Sequence, residues 1–149
     1  MACGSRYDED LSGIIFNLLN AQKKSFRLAH EEVVAGKRYL FTHAGVNALW
    51  YERHRETIKE LTAKNLNHLM ATKKGVTALA DIGKIRGGYL PSGSILWADS
   101  DEMLFSVPFP DVYQIFGHSQ RSHPLITQHY ACVDCKKAFL LDERGLTAV

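Results

Sequence analysis

Two stretches of this chain end in the same way. Tyr39-Leu-Phe-Thr-His-Ala-Gly-Val46 is an apolar, aromatic run that closes on Thr42 and His43, after which small residues release the chain. Val112-Tyr-Gln-Ile-Phe-Gly-His-Ser-Gln120 repeats that order, with a hydrophobic run, a glycine and then His118. Each reads as a buried strand that delivers a histidine to the rim of a sheet. Open α/β sheets hold their ligands in the crevice beyond the carboxyl ends of strands. Gly45 leaves room there for close approach. The two histidines lie 75 positions apart, so the rest of the chain is expected to be a scaffold that brings them together.

The sequence can support such a scaffold. Its 149 residues suffice for a single domain spanning 1–149 with a real core. Hydrophobic content of 46% and charged content of 23% are ordinary for a globular chain. The net charge is +2 and the basic residues are dispersed, so no stripe points to nucleic acid. No apolar run approaches the roughly 18 residues of a membrane span. Met1 is followed by Ala-Cys-Gly-Ser and then acidic residues, which is not a signal peptide. Three cysteines make no disulfide framework, and a reducing cytoplasm is the expected setting.

The elements follow from spacing. Met1 to Arg6 has no hydrophobic anchor and is expected to be loose. Asp8, Glu9 and Asp10, then Leu11, Ile14, Ile15, Leu18 and Leu19, predict an amphipathic helix over 8–22. Residues 26–34 predict a half-exposed strand. Ala35-Gly36-Lys37 is a turn, and 38–42 form the return strand of a hairpin. Asn47 is the N-cap of a short helix over 47–54. A longer helix is expected within 56–72, from Ile58, Leu61, Leu66, Leu69 and Met70, and another near 76–83. Residues 86–94 read as a loop, and Ile95 to Asp99 as a short extended piece. Pro108 and Pro110 precede the strand that bears His118. Two strands, 125–133 and 137–141, are expected to flank a turn at Asp134, Cys135 and Lys136. The fold class is therefore α/β, a mixed β-sheet with flanking helices.

Neutral imidazole is the commonest side-chain metal ligand, and two of them at neighbouring strand ends can share an ion. Taken bare, a histidine at a strand end is more often a hydrogen-bonded rim residue. The surrounding sequence adds to the metal reading. Phe41-Thr-His-Ala-Gly-Val46, Gly93-Ser-Ile-Leu-Trp-Ala-Asp99 and Gln114-Ile-Phe-Gly-His-Ser119 stand in an order and spacing that resembles the calcineurin-like metallophosphoesterases. The nearest likeness is to their protein serine/threonine phosphatase branch. The tail from Tyr130 to Asp142 is similar to that family's closing hairpin. The resemblance implies half of a two-sheet sandwich, a phosphorylated substrate, a metal-activated water, and divalent ions such as Mn, Fe or Zn. It implies that His43 and His118 are ligands of one ion. The family's first three motifs, Asp-x-His, Gly-Asp and Gly-Asn-His, have no counterpart here. Gln120 stands where many metallophosphoesterases place another histidine. The chain thus resembles the C-terminal half of such an enzyme, with an incomplete metal site and negligible activity by itself.

Plainer readings go to the remaining candidates. Cys132-Val-Asp-Cys135 has the spacing of half a zinc site but lacks a second pair. Asp99 is expected to be structural, Arg86 a solvated loop arginine, and Trp50 and Trp97 core or rim aromatics. His30, His54, His68, His123 and His129 read as surface or strand residues, and the acidic cluster 99–102 as a solvated turn or helix cap. The competing expectation is a catalytically silent domain that binds a partner through an uncovered apolar face, or self-associates through an exposed sheet edge.

Overall fold

The computed structural model describes residues 9–149. The expected loose segment Met1 to Arg6, and Asp8 at the predicted helix start, lie outside the described residues. Helix α1 spans Glu9–Gln22. It leads through a short 3₁₀ turn into the hairpin of β1 (Ala29–Val34) and β2 (Lys37–Thr42). Four short helices follow: α2 (Ala48–Arg53), α3 (Arg55–Ile58), α4 (Ala63–His68) and α5 (Lys73–Leu79). After a long loop come α6 (Ser100–Met103), β3 (Tyr113–Phe116), β4 (Leu125–Ile126), β5 (Tyr130–Cys132), β6 (Phe139–Asp142) and β7 (Gly145–Ala148).

Five strands make one mixed sheet in the order β1-β2-β3-β5-β4. β2, β3 and β5 run parallel at its centre, and β1 and β4 pair antiparallel at its edges. β6 and β7 form a separate two-stranded hairpin. Every residue of β3 is buried, as a central parallel strand covered on both faces requires. Side chains alternate between the two faces. Leu40 joins Val46, Trp50, Ile58, Leu66, Leu69, Leu79 and Ile95 in the core under the helices. Tyr39, Tyr113, Ile115 and Ala131 face the other way, where Leu141 and Leu146 of the β6–β7 hairpin cover them.

The predicted helix over 56–72 is broken. Lys59 takes φ +66 after α3, and Thr62 restarts the helix as an N-cap accepting from Asn65 N. The Glu31 carboxylate of β1 accepts the next free amide, Ala63 N, so the break docks α4 onto the sheet. Asn67 of α4 completes that seam: its Oδ1 accepts from Leu28 N and Ala29 N while its Nδ2 donates to Ala29 O. The helix expected near 76–83 begins earlier, capped by Thr72, and ends at Leu79. Ile95 to Asp99 is turned instead of extended, since Trp97 N and Ala98 N both donate to Ser94 O. The strand expected over 125–133 is a tight pair, β4 and β5, folded about Thr127, which binds Tyr130 through both backbone and hydroxyl. The closing hairpin lies further on than expected: β6 pairs with β7 and not with β5.

Candidate functional site

β2 and β3 are adjacent and parallel, with Tyr39, Leu40 and Phe41 opposite Tyr113, Gln114 and Ile115. Both carboxyl ends therefore reach one rim, and the residues just beyond them meet. Gly117 N donates to His43 O at 2.9 Å, continuing the ladder past the strand ends. The side chains follow: His43 Nε2 lies 2.8 Å from His118 Nδ1, with ring centroids 4.6 Å apart. Gly45, at φ +86, lets the chain turn away beneath them. A Cβ there would sit 3.0 Å from the Phe116 ring.

A separation of 2.8 Å suits an N–H···N hydrogen bond. It is also close to the roughly 3 Å between two nitrogens bound at right angles to one ion. His118 Nε2 is buried and has no hydrogen-bond partner. Burial pushes the His118 imidazole below its ordinary value. The Arg86 guanidinium and His43 push the same way, against the carboxylates of Asp99 and Asp134. His118 is thus held neutral near pH 7, the form that binds metal. The pair can supply two ligands of one ion and leaves the rest of its coordination to other donors. Among the described residues, no group of three or more His, Cys, Asp or Glu is placed to hold a metal ion.

Arg86 is exposed, as expected, but its guanidinium is not free. Its Nε pairs with Asp99 Oδ2 at 2.9 Å, and its Nη2 donates to Ser119 Oγ at 2.9 Å. Asp99 has the structural role expected of it, capping α6 by accepting from Asp101 N at 2.9 Å. Trp97 is a rim aromatic, edge-on to the His118 ring at 6.3 Å, whereas Trp50 is fully buried and donates from Nε1 to Ala78 O. Cys132 and Cys135 are both buried and free. Burial raises the Cys132 thiol, so it is no poised nucleophile. Among the other histidines, His54 bonds Asp81 Oδ2 at 2.7 Å and His30 bonds Glu32. Gln120 is exposed.

Ser119 and Asp134 were not singled out by sequence. Ser119 sits next to His118, which is the one local signal for it. Asp134 stands where a Cβ on Gly117 would meet its side chain at 3.5 Å, a proximity set by β3 and β5 pairing. No helix among the described residues is long and apolar enough to cross a membrane. No protein-family model, curated protein or solved structure matches the chain.

Proposed function

We propose that the chain carries the histidine part of a phosphoester-hydrolysing metal centre, either as a metal-dependent phosphatase of the calcineurin-like kind or as the C-terminal portion of one. One observation carries the reading. Two imidazoles from strand ends 75 residues apart meet nitrogen to nitrogen at 2.8 Å. A mixed sheet with helices over one face and a small second sheet over the other also suits half of a two-sheet sandwich. His43 and His118 would hold an ion of the class imidazole accepts, Mn, Fe or Zn. Such an ion, when bound, supplies Lewis acidity and a bound water that ionises near neutral pH. The protein's part is to keep His118 neutral and fixed, so that its lone pair is free without first shedding a proton.

Two neutral imidazoles bring no negative charge to offset a dication, so the pair needs further donors. The expected outcome is measurable divalent-metal binding with little turnover. Calorimetric titration with Mn(II) or Zn(II) should show binding that falls about tenfold or more in His43→Ala and in His118→Ala. Phosphate release from a simple aryl phosphate should not exceed that of the double variant at equal metal. Unchanged metal binding in both variants would overturn the reading.

A second reading, a catalytically silent binding domain, is favoured by one observation. The apolar residues Ile14, Ile15, Phe16, Leu18 and Leu19 of α1 are exposed by 45–65%. A helix that shows so much apolar surface suits a partner's face better than water.

A further inference from the structure

We infer that Ser119 and Arg86 are a positioning pair that holds His118 in a strained turn, with its ring set against His43; the consequence for metal affinity rests on the metal-centre reading above. His118 takes φ +66 without being glycine, a left-handed conformation in which an L side chain crowds the backbone. Ser119 N donates to Gly117 O at 2.8 Å, closing a three-residue turn around His118. A γ-turn of positive φ is rare and strained, and it persists only where the surroundings over-determine it.

The surroundings do so from several sides. Before the turn, Gly117 N is tied to His43 O at 2.9 Å. Beneath it, the Cys132 thiol lies 3.7 Å from Gly117 O and 3.6 Å from Ser119 O. After it, the Ser119 hydroxyl oxygen accepts two bonds, from Ser100 N at 2.8 Å and from Arg86 Nη2 at 2.9 Å. Ser119 and Ser100 are buried, so the bond between them is shielded from competing water. Arg86 is itself held by Asp99 at the start of α6. The route therefore runs from the α6 cap through Asp99, Arg86 and Ser119 to the His118 backbone. Neither residue bonds the imidazole. They act through the main chain, by fixing where the ring points. Outer partners that orient a ligating histidine typically account for 10–100-fold in metal affinity.

The test has two arms on the 149-residue chain. In the metal-free protein, ¹⁵N-detected NMR reads the His43–His118 N–H···N hydrogen bond as a coupling between the two ring nitrogens. That coupling should be lost in Ser119→Ala and weakened in Arg86→Gln, while thermal unfolding shows both variants folded. In the second arm, Co(II) affinity read from its visible bands should fall about 10–100-fold in Ser119→Ala and less in Arg86→Gln. A retained coupling with affinity within twofold of the parent overturns the inference. Arg86→Gln alone decides it if Ser119→Ala does not fold, because Arg86 lies partly exposed outside the turn. If His43→Ala leaves Co(II) binding intact, the metal-centre reading fails, and the metal-free coupling still decides the positioning role.

Discussion

Glu102 is a buried carboxyl with one oxygen unpartnered. It is 6% exposed on α6. Its Oε2 accepts from Gly93 N at 2.8 Å, while Oε1 is buried without a hydrogen-bond partner. Burial raises its pKa above the ordinary 4.5, and the amide bonds from Gly93 and Asp99 only partly offset that. The direction fixes a pH dependence. A carboxyl whose folded pKa is raised binds its proton more tightly in the native state. Its stabilisation is complete below about 4.5 and is lost as pH rises through the folded value. Glu102→Gln keeps an acceptor for Gly93 N and has no charge to bury. Its own unpaired amide N–H costs the same at every pH. Relative to the variant, the parent should therefore lose stability as pH rises from 4.5 to 7.5. Urea unfolding at the two pH values checks this, and an identical gap at both would refute it.

At the scale of elements, the site depends on how strand ends and loops are joined across the sheet. β3 does this with one side chain. Gln114 is buried, its Oε1 accepts from Val46 N at 2.7 Å, and its Nε2 donates to Val46 O at 3.1 Å. The amide acts as a strand partner for the loop that leaves His43. Asn47 then ties that loop to α6 by donating to Glu102 O at 2.9 Å. Gln114→Leu has a similar volume but leaves both polar groups of buried Val46 unpaired. It should cost about 2 kcal/mol or more in chemical unfolding, and it should broaden the His43 NMR signals as the loop loosens. A stability within about 0.5 kcal/mol of the parent would mean that the two bonds add little. The same elements show what was legible in the sequence. The strand-then-histidine pattern at 39–43 and 112–118 was visible, because burial and a polar terminus are local properties. The cap at Asn47 and the hairpin at 29–42 were visible for the same reason. The break at Lys59, the Glu31–Ala63 seam and the Arg86–Ser119 bond were not. The two bonded pairs stand 32 and 33 residues apart, and only the packing of helices and loops on the sheet brings them together. Periodicity ran the apolar stripe straight through 56–72, because Ile58, Leu61, Leu66 and Leu69 are all buried whether or not the helix is continuous.

For the whole molecule the unresolved balance is between core and surface. The sheet is covered on both faces, yet all of residues 11–22 except Ser12 are exposed on α1. Ile14, Ile15 and Leu18 share one face by their spacing, and Phe26 at the end of the same segment is 57% exposed. The sheet edge at β1 offers less. It carries His30, Glu31 and Glu32, charged or polar groups that discourage strand addition, and Asn67 already pairs its first backbone groups. Self-association through α1 is thus the expected route, with a second copy's α1 as the covering surface. Its strength is bounded by geometry. A 14-residue helix is roughly 21 Å long, so an antiparallel pair buries less than the roughly 1,200 Å² of a stable interface. Association should be weak and reversible, with monomer at low micromolar concentration and dimer growing in at hundreds of micromolar. Ile14→Lys with Leu18→Lys should leave a monomer throughout, with the thermal midpoint unchanged because neither side chain is in the core. Light scattering across that range checks it. A parent chain that stays monomeric at the highest concentration would remove α1 as a self-association surface and leave its apolar face to a different and larger partner.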